Sequence, residues 1–169
     1  MKSGLKTILS LLMLFAGMSV AFIACNDDDD HVAVPDEFKS ALLQKYPDVK
    51  HVDWERKGEY RVAEFTKAAV EHDIWFDSNA KLVMTELDYG KDLFLVPDNA
   101  VSAAFPKSEY GTWQIDDIKH YIQLDNEFYV FEVEKAGQPD MDVYFSVSGE
   151  MLKAVKSDGN PDIRPDTVI

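Results

Sequence analysis

The spacing of apolar residues changes its period along this chain. After Pro35, apolar side chains recur every three or four positions until Pro47, which is the spacing of one helix face. The residues with this spacing are Phe38, Leu42, Leu43 and Tyr46. Pro35 suits a first helical turn, and Pro97 stands before a second, shorter stripe of the same kind. The pattern therefore predicts two helices, one after each of these prolines.

After each predicted helix, apolar and polar residues alternate with a period of two. Short segments of aromatic and β-branched residues are separated by Gly, Asn, Asp and Pro, which is typical of hairpins. The predicted strands are 51–57, 60–66, 70–76 and 81–87, then 114–124, 127–134, 142–147 and 151–156. The alternation within them indicates one buried face per sheet.

The two halves of the chain also repeat each other. Val34-Pro35-Asp36 recurs as Val96-Pro97-Asp98, and a shift of 69 residues aligns Trp75 with Tyr144. The predicted fold class is α+β, a tandem repeat of a helix followed by a four-stranded antiparallel sheet. The predicted divisions are a signal (1–24), a tether (25–33), a first repeat (34–90), a second repeat (91–157) and a flexible tail (158–169).

The first 24 residues have the layout of an export signal. Lys2 and Lys6 precede 16 mostly apolar residues, whereas a spanning helix needs about 20. Phe22-Ile23-Ala24-Cys25 resembles a bacterial lipobox. That resemblance implies lipid on Cys25, and thus a membrane anchor without a spanning helix.

An acidic segment follows the cysteine: Asn26, Asp27, Asp28, Asp29 and Asp30. It resembles the surface-export signal of Bacteroidetes lipoproteins, which implies an outer-membrane lipoprotein displayed on the cell surface. The alternative is a solvated linker on a protein that faces the periplasm. Protease shaving of intact cells separates the two, because a periplasmic protein would be fully protected.

Charge and cysteine content narrow the function. The chain has 17 basic and 31 acidic residues, a net charge of −14, which becomes −16 when 1–24 and its two lysines are removed. Such a chain repels nucleic acid and favours a basic protein or peptide partner. Cys25 is the single cysteine, so no intrachain disulfide forms and no catalytic thiol remains once it is lipidated.

Several motifs resemble a known family. They are the helix start Val34-Pro35-Asp36, the helix end Tyr46-Pro47, the turn Phe76-Asp77-Ser78-Asn79-Ala80-Lys81-Leu82 and its second copy, residues 145–152. Together they are similar to the PepSY-like, β-lactamase-inhibitor-protein-like (BLIP-like) domains of secreted Bacteroidetes lipoproteins. The resemblance covers about residues 34–157 and implies tandem helix-plus-sheet units without established catalysis.

Motifs of catalysis are missing from the sequence. It has no Gly-x-Ser-x-Gly, no phosphate-binding glycine loop and no His-Glu-x-x-His, so we predict no catalytic residue and no cofactor. The turn 158–162 places oxygens like the start of a calcium loop, but Ile163 and Ile169 replace its glycine and glutamate. We therefore predict no metal site there.

The aromatic residues are the predicted binding residues. Trp75 lies between Ile74 and Phe76, so it faces the other side of its strand, and Tyr144 is its counterpart in the second repeat. We expect both on the less buried face, where with Trp54 they would contact a partner. The first hypothesis is a non-catalytic protein- or peptide-binding envelope module. The alternative is calcium or small-ligand sensing, and an envelope hydrolase comes third.

Overall fold

The computed structural model describes residues 33–97, 99–159 and 163–169. The predicted signal 1–24, Cys25 and the acidic residues Asn26 and Asp27 to Asp30 lie outside the described residues. In these ranges, no helix is long and apolar enough to cross a membrane.

The first half contains α1 (Asp36–Lys45), β1 (Asp53–Lys57), β2 (Tyr60–Lys67), β3 (Val70–Phe76) and β4 (Leu82–Asp88). The second contains α2 (Ala100–Ala104), a 3₁₀ turn (Phe105–Lys107), β5 (Gln114–Gln123), β6 (Glu127–Glu134), β7 (Met141–Ser146) and β8 (Met151–Lys156).

The strands form one eight-stranded antiparallel sheet in the order β1 to β8. The predicted fold class, a tandem repeat with a separate four-stranded sheet in each unit, is therefore wrong. The two halves join where β4 pairs with β5, from Met84 opposite Gln123 to Asp88 opposite Lys119. In two separate sheets, β4 and β5 would be edge strands, each with one row of unpaired backbone N–H and C=O groups. The pairing of β4 with β5 satisfies these groups.

Both short helices cover the same face of the sheet, which we call the helix face. Phe38 and Leu42 of α1 pack over Ile74 and Phe76. Val101 of α2, together with Phe105, packs over the second half of the sheet in a cluster that contains the buried Phe131 and Phe145. Phe105 stacks on Phe131 with ring centroids 4.3 Å apart.

The other side of the sheet, which we call the far face, carries no helix within the part of the chain that the structure describes. Residues paired across strands share a face, so Val62, Trp75 and Met84 lie together on it. The buried apolar residues of the far face are Val62, Trp75, Met84, Tyr121, Phe128, Val130 and Tyr144, and Ile163 from the C-terminal segment packs with them. The far face is therefore apolar over this cluster.

Candidate binding surface

The predicted aromatic binding residues occupy positions that differ from expectation in one respect. Trp75 and Tyr144 do lie on the far face, away from Ile74. However, Trp75 is only 3% exposed and Tyr144 only 5%, whereas we expected both on the less buried face. Neighbouring side chains cover them. Their role in binding stays a prediction.

Two lysines lie over these buried rings. Lys57 Nζ is 5.3 Å from the ring centroid of Trp75, and Lys153 Nζ is 4.5 Å from that of Tyr144. A lysine stem shields an aromatic surface from water while its ammonium group stays accessible. The surface presented to a partner is thus charged where the sequence suggested aromatic contacts.

Trp54 lies on the opposite side of the sheet from Trp75. Its ring centroid is 6.5 Å from that of Phe38 and 5.9 Å from that of Phe76, both in the core under α1. The three predicted binding residues therefore do not form one surface. Trp54 is half-buried and contributes to the packing of α1.

A charged stripe crosses the centre of the far face. We define it by six carboxylates and two lysines that the strand register places side by side: Glu64, Glu71, Asp73, Glu86, Asp88, Asp117, Lys57 and Lys119. Asp73 lies between Glu64 and Glu86 on neighbouring strands, and Asp88 lies between Glu71 and Lys119. Three consecutive strands, β2 to β4, therefore place carboxylates directly opposite one another, and β5 adds Lys119 beside Asp88.

The two lysines are each shared among several acids. Lys57 Nζ lies 3.2 Å from Glu64 Oε1 and 3.5 Å from Asp73 Oδ2. At the other end, Lys119 Nζ lies 3.0 Å from Glu86 Oε1, and 3.9 Å from oxygens of both Asp88 and Asp117. Two cations cannot neutralise six carboxylates, so the stripe keeps a negative excess.

That excess appears in the pKa values of the acids. Burial, followed by repulsion from Glu86 and Glu64, raises the pKa of Asp73 to about 7, although Lys57 opposes this. Burial and then repulsion from Asp88 raise the pKa of Asp117 to about 6.

The pKa of Lys57 is raised as well. Burial by itself lowers the pKa of Lys57, but the surrounding carboxylates, Asp73 first, outweigh burial and raise it. The carboxylates of the stripe therefore stabilise the charged form of Lys57.

The stripe surrounds a small cavity of about 70 Å³ lined by Glu71, Asp73, Glu86, Asp88 and Lys119. Across the described ranges, no group of three or more His, Cys, Asp or Glu side chains has the arrangement of a metal site. The calcium turn considered in the sequence lies partly outside these ranges, because residues 160–162 are not described. The chemistry that the stripe offers is electrostatic recognition of a cationic group.

Sequence reasoning missed this stripe because a single sequence does not show which residues pair between neighbouring strands. A signal was present, since Glu71 and Asp73 on one strand, and Glu86 and Asp88 on the next, are acids two residues apart and share a face. Only the pairing of Asp73 with Glu86 shows that the two pairs meet.

Solved structures resemble this fold over most of its length. A BLIP-like protein from Bacteroides fragilis is 31% identical, with a TM-score of 0.68, and the match covers 81% of this chain and 97% of that protein. The chain belongs to the BLIP-like family. This confirms the resemblance drawn from the sequence motifs.

Other solved structures match the chain over a similar extent. A DUF2874 family protein from Bacteroides uniformis is 28% identical, with a TM-score of 0.65, and the match covers 73% of this chain and 90% of that one. A candidate periplasmic protein from Bacteroides eggerthii is 26% identical, with a TM-score of 0.64, over 73% and 89% of the two chains. No family model and no curated protein matches the chain.

Proposed function

We propose that this BLIP-like protein is a non-catalytic module of the cell envelope that binds a basic protein or peptide through the charged stripe. One observation carries the proposal: five of the six carboxylates share the two lysines, and the repulsion among the acids helps to raise the pKa of Asp73 to about 7. Such repulsion is relieved when a lysine or arginine of a partner enters the stripe. No helix among the described residues covers the far face, and Glu71 at the rim of the stripe is exposed to a partner.

The relatives support the envelope location. The Bacteroides eggerthii protein is named as a candidate periplasmic protein. An export signal at 1–24 fits that location. The lipid on Cys25 and display at the outer surface stay predictions, because those residues lie outside the described ranges.

The test uses an oligolysine peptide as the probe and the full-length chain as the protein. The double variant Glu71→Gln with Asp88→Asn removes two charges from the rim of the stripe while leaving its buried acids in place. The matched control, Glu37→Gln with Glu109→Gln, removes two exposed acids that lie outside the stripe. Binding is measured by calorimetry at low and at physiological salt.

We expect the stripe variant to weaken oligolysine binding about tenfold, equivalent to about 1.4 kcal/mol. The control should change binding less than about twofold, because exposed charges away from the site are screened. Equal weakening by the two double variants would show attraction to overall charge only and would contradict the proposal. So would failure of the wild-type chain to bind at low salt.

A further inference from the structure

The C-terminal segment lies on the apolar end of the far face. Ile163 is only 5% exposed and belongs to the apolar cluster that contains Trp75 and Met84. Ile169, the last residue, packs against the same cluster. Two branched aliphatic side chains, six positions apart, thus cover part of the sheet that neither α1 nor α2 covers.

Side-chain contacts hold residues 163–169 there in part. They add no strand to the sheet. Gln123 Nε2 donates a hydrogen bond to Arg164 O over 2.9 Å, and within the segment the Thr167 N–H donates to the same oxygen over 2.9 Å. An extra strand would instead be fixed by a ladder of backbone bonds, so this attachment suits a segment that can be exchanged.

The surface beside the segment is partly apolar and partly charged. A groove of about 830 Å³ lies between residues 165–169 and the turns that follow β1, β3 and β5. Leu124 at its edge is 81% exposed and Val168 is 90% exposed. Trp75, which packs on the groove residue Tyr60, is buried with its Nε1 lacking a hydrogen-bond partner among the described residues. The segment thus leaves open space beside it on the far face.

We infer that residues 163–169 are a replaceable occupant of an apolar peptide-binding site, which also accepts a separate segment with the same pair of branched aliphatic side chains. The site adjoins the charged stripe, since Glu64 follows Val62 on the same face of β2. The inference rests on the proposed function only in that a partner binds the far face. A partner that presents both lysines and branched aliphatic residues would occupy both parts.

Methionine oxidation reports directly on this site. Met84 is fully buried in the cluster with Ile163, and its sulfur lies 3.6 Å from the Gln123 amide that also binds Arg164. Met151 is 39% exposed and serves as the internal standard for reaction with hydrogen peroxide. Met141, half-buried in the helix-face core, reports general loosening.

The test compares Ile163→Asp with the matched control Val168→Asp in the full-length chain. A charge at the buried position should displace the segment, whereas the same charge at the exposed position should not. We expect Met84 to oxidise about fivefold faster in Ile163→Asp, with Met141 and Met151 unchanged. Unchanged Met84 in a folded Ile163→Asp protein would overturn the inference. An equal rise at Met84 and Met141 would overturn it too, because the segment would then be integral to the fold.

A synthetic peptide with the sequence of residues 163–169 provides the second measurement. It should restore the protection of Met84 in Ile163→Asp, whereas a peptide with both isoleucines changed to aspartate should not. Lack of restoration would contradict an exchangeable site. Oligolysine binding measured on the same samples separates the two proposals, since it depends on the stripe and not on Ile163. If only the peptide fails, the inference about residues 163–169 is wrong. If only oligolysine fails to bind, the proposed function of the stripe is wrong.

Discussion

Asp73 shows how the electrostatics of the far face act on a single side chain. It faces Lys57 from β1, Glu64 from β2 and Glu86 from β4, and Glu71 stands two residues away on its own strand. Burial and these acids raise its pKa to about 7, above the value of an unfolded aspartate. Between the two values the folded state holds more protons than the unfolded state. The contribution of Asp73 to stability therefore falls as the pH rises from about 4 to 8.

The variant Asp73→Asn should accordingly stabilise the protein at pH 8. We expect a gain on the order of 1 kcal/mol in the free energy of unfolding after allowance for solvent screening, declining as the pH falls and approaching zero near pH 4. Lys57 keeps Glu55 and Glu64 as partners in the variant. Urea titrations of both proteins from pH 5 to 8 measure the difference.

Taking the difference between the two proteins also removes the effect of a buried histidine. Burial lowers the pKa of His120, so its contribution to stability falls as the pH falls through the unfolded value, opposite in sign to Asp73. Because His120 is present in both proteins, its effect cancels. The exposed control Glu109→Gln should show no such pH-dependent gain, and a destabilised Asp73→Asn at pH 8 would contradict the electrostatic account.

At the scale of elements, the docking of α2 depends on a close approach to the turn between β7 and β8. Gly149 in this turn has a φ of +82°, and a Cβ there would lie 2.6 Å from the backbone oxygen of Ala100. The same Cβ would lie 3.1 Å from Ala104 Cβ. A glycine is therefore required both by the backbone conformation and by the first turn of the helix.

Substitution of two glycines separates these requirements. Gly149→Ala should destabilise the protein more than Gly137→Ala, whose φ of +79° is similar but whose Cβ would have nothing within 4 Å. The backbone term shared by both is about 1–2 kcal/mol, and the clash with Ala100 should add about 1 kcal/mol or more. Chemical denaturation measures both. Equal losses of stability in the two variants would mean that α2 moves away from the added Cβ at no cost in free energy.

Sequence reasoning placed single elements well where the signal is local. The stripe between Pro35 and Pro47 predicted a helix that the structure has at Asp36–Lys45, and the predicted strand 60–66 is observed as Tyr60–Lys67. Prolines, turn residues and apolar spacing act within a few residues, so a single sequence reveals them.

Contacts between distant residues were beyond such patterns. The pairing of Asp88 with Lys119 joins the two halves across 31 positions, and no local spacing specifies it. The charged stripe follows from the same pairings. The position of Ile163 was missed for the same reason. The prolines near it predicted a flexible tail, whereas its side chain lies in the far-face cluster. The flexibility of the tail stays a prediction.

At the scale of the whole molecule, the continuous sheet makes the two repeats one folding unit. Five residue pairs link β4 to β5, and the apolar clusters on both faces extend from them into each half. Two separate sheets would unfold independently, whereas one sheet without a gap in its hydrogen bonding should unfold in a single transition. A core change under α1 should thus be felt in β6 and β7.

Leu42→Ala tests this coupling. Leu42 is 2% exposed under α1, so its truncation should cost about 2–5 kcal/mol, while Leu43→Ala on the same helix, at a position 47% exposed, should cost little. Native-state hydrogen exchange measures the loss strand by strand. We expect the slowest amides of β3 and of β6 to lose the same free energy of protection in Leu42→Ala. Loss in β3 with unchanged protection in β6 would instead mean that the repeats unfold separately, and that the β4–β5 pairing joins two units without making them cooperative.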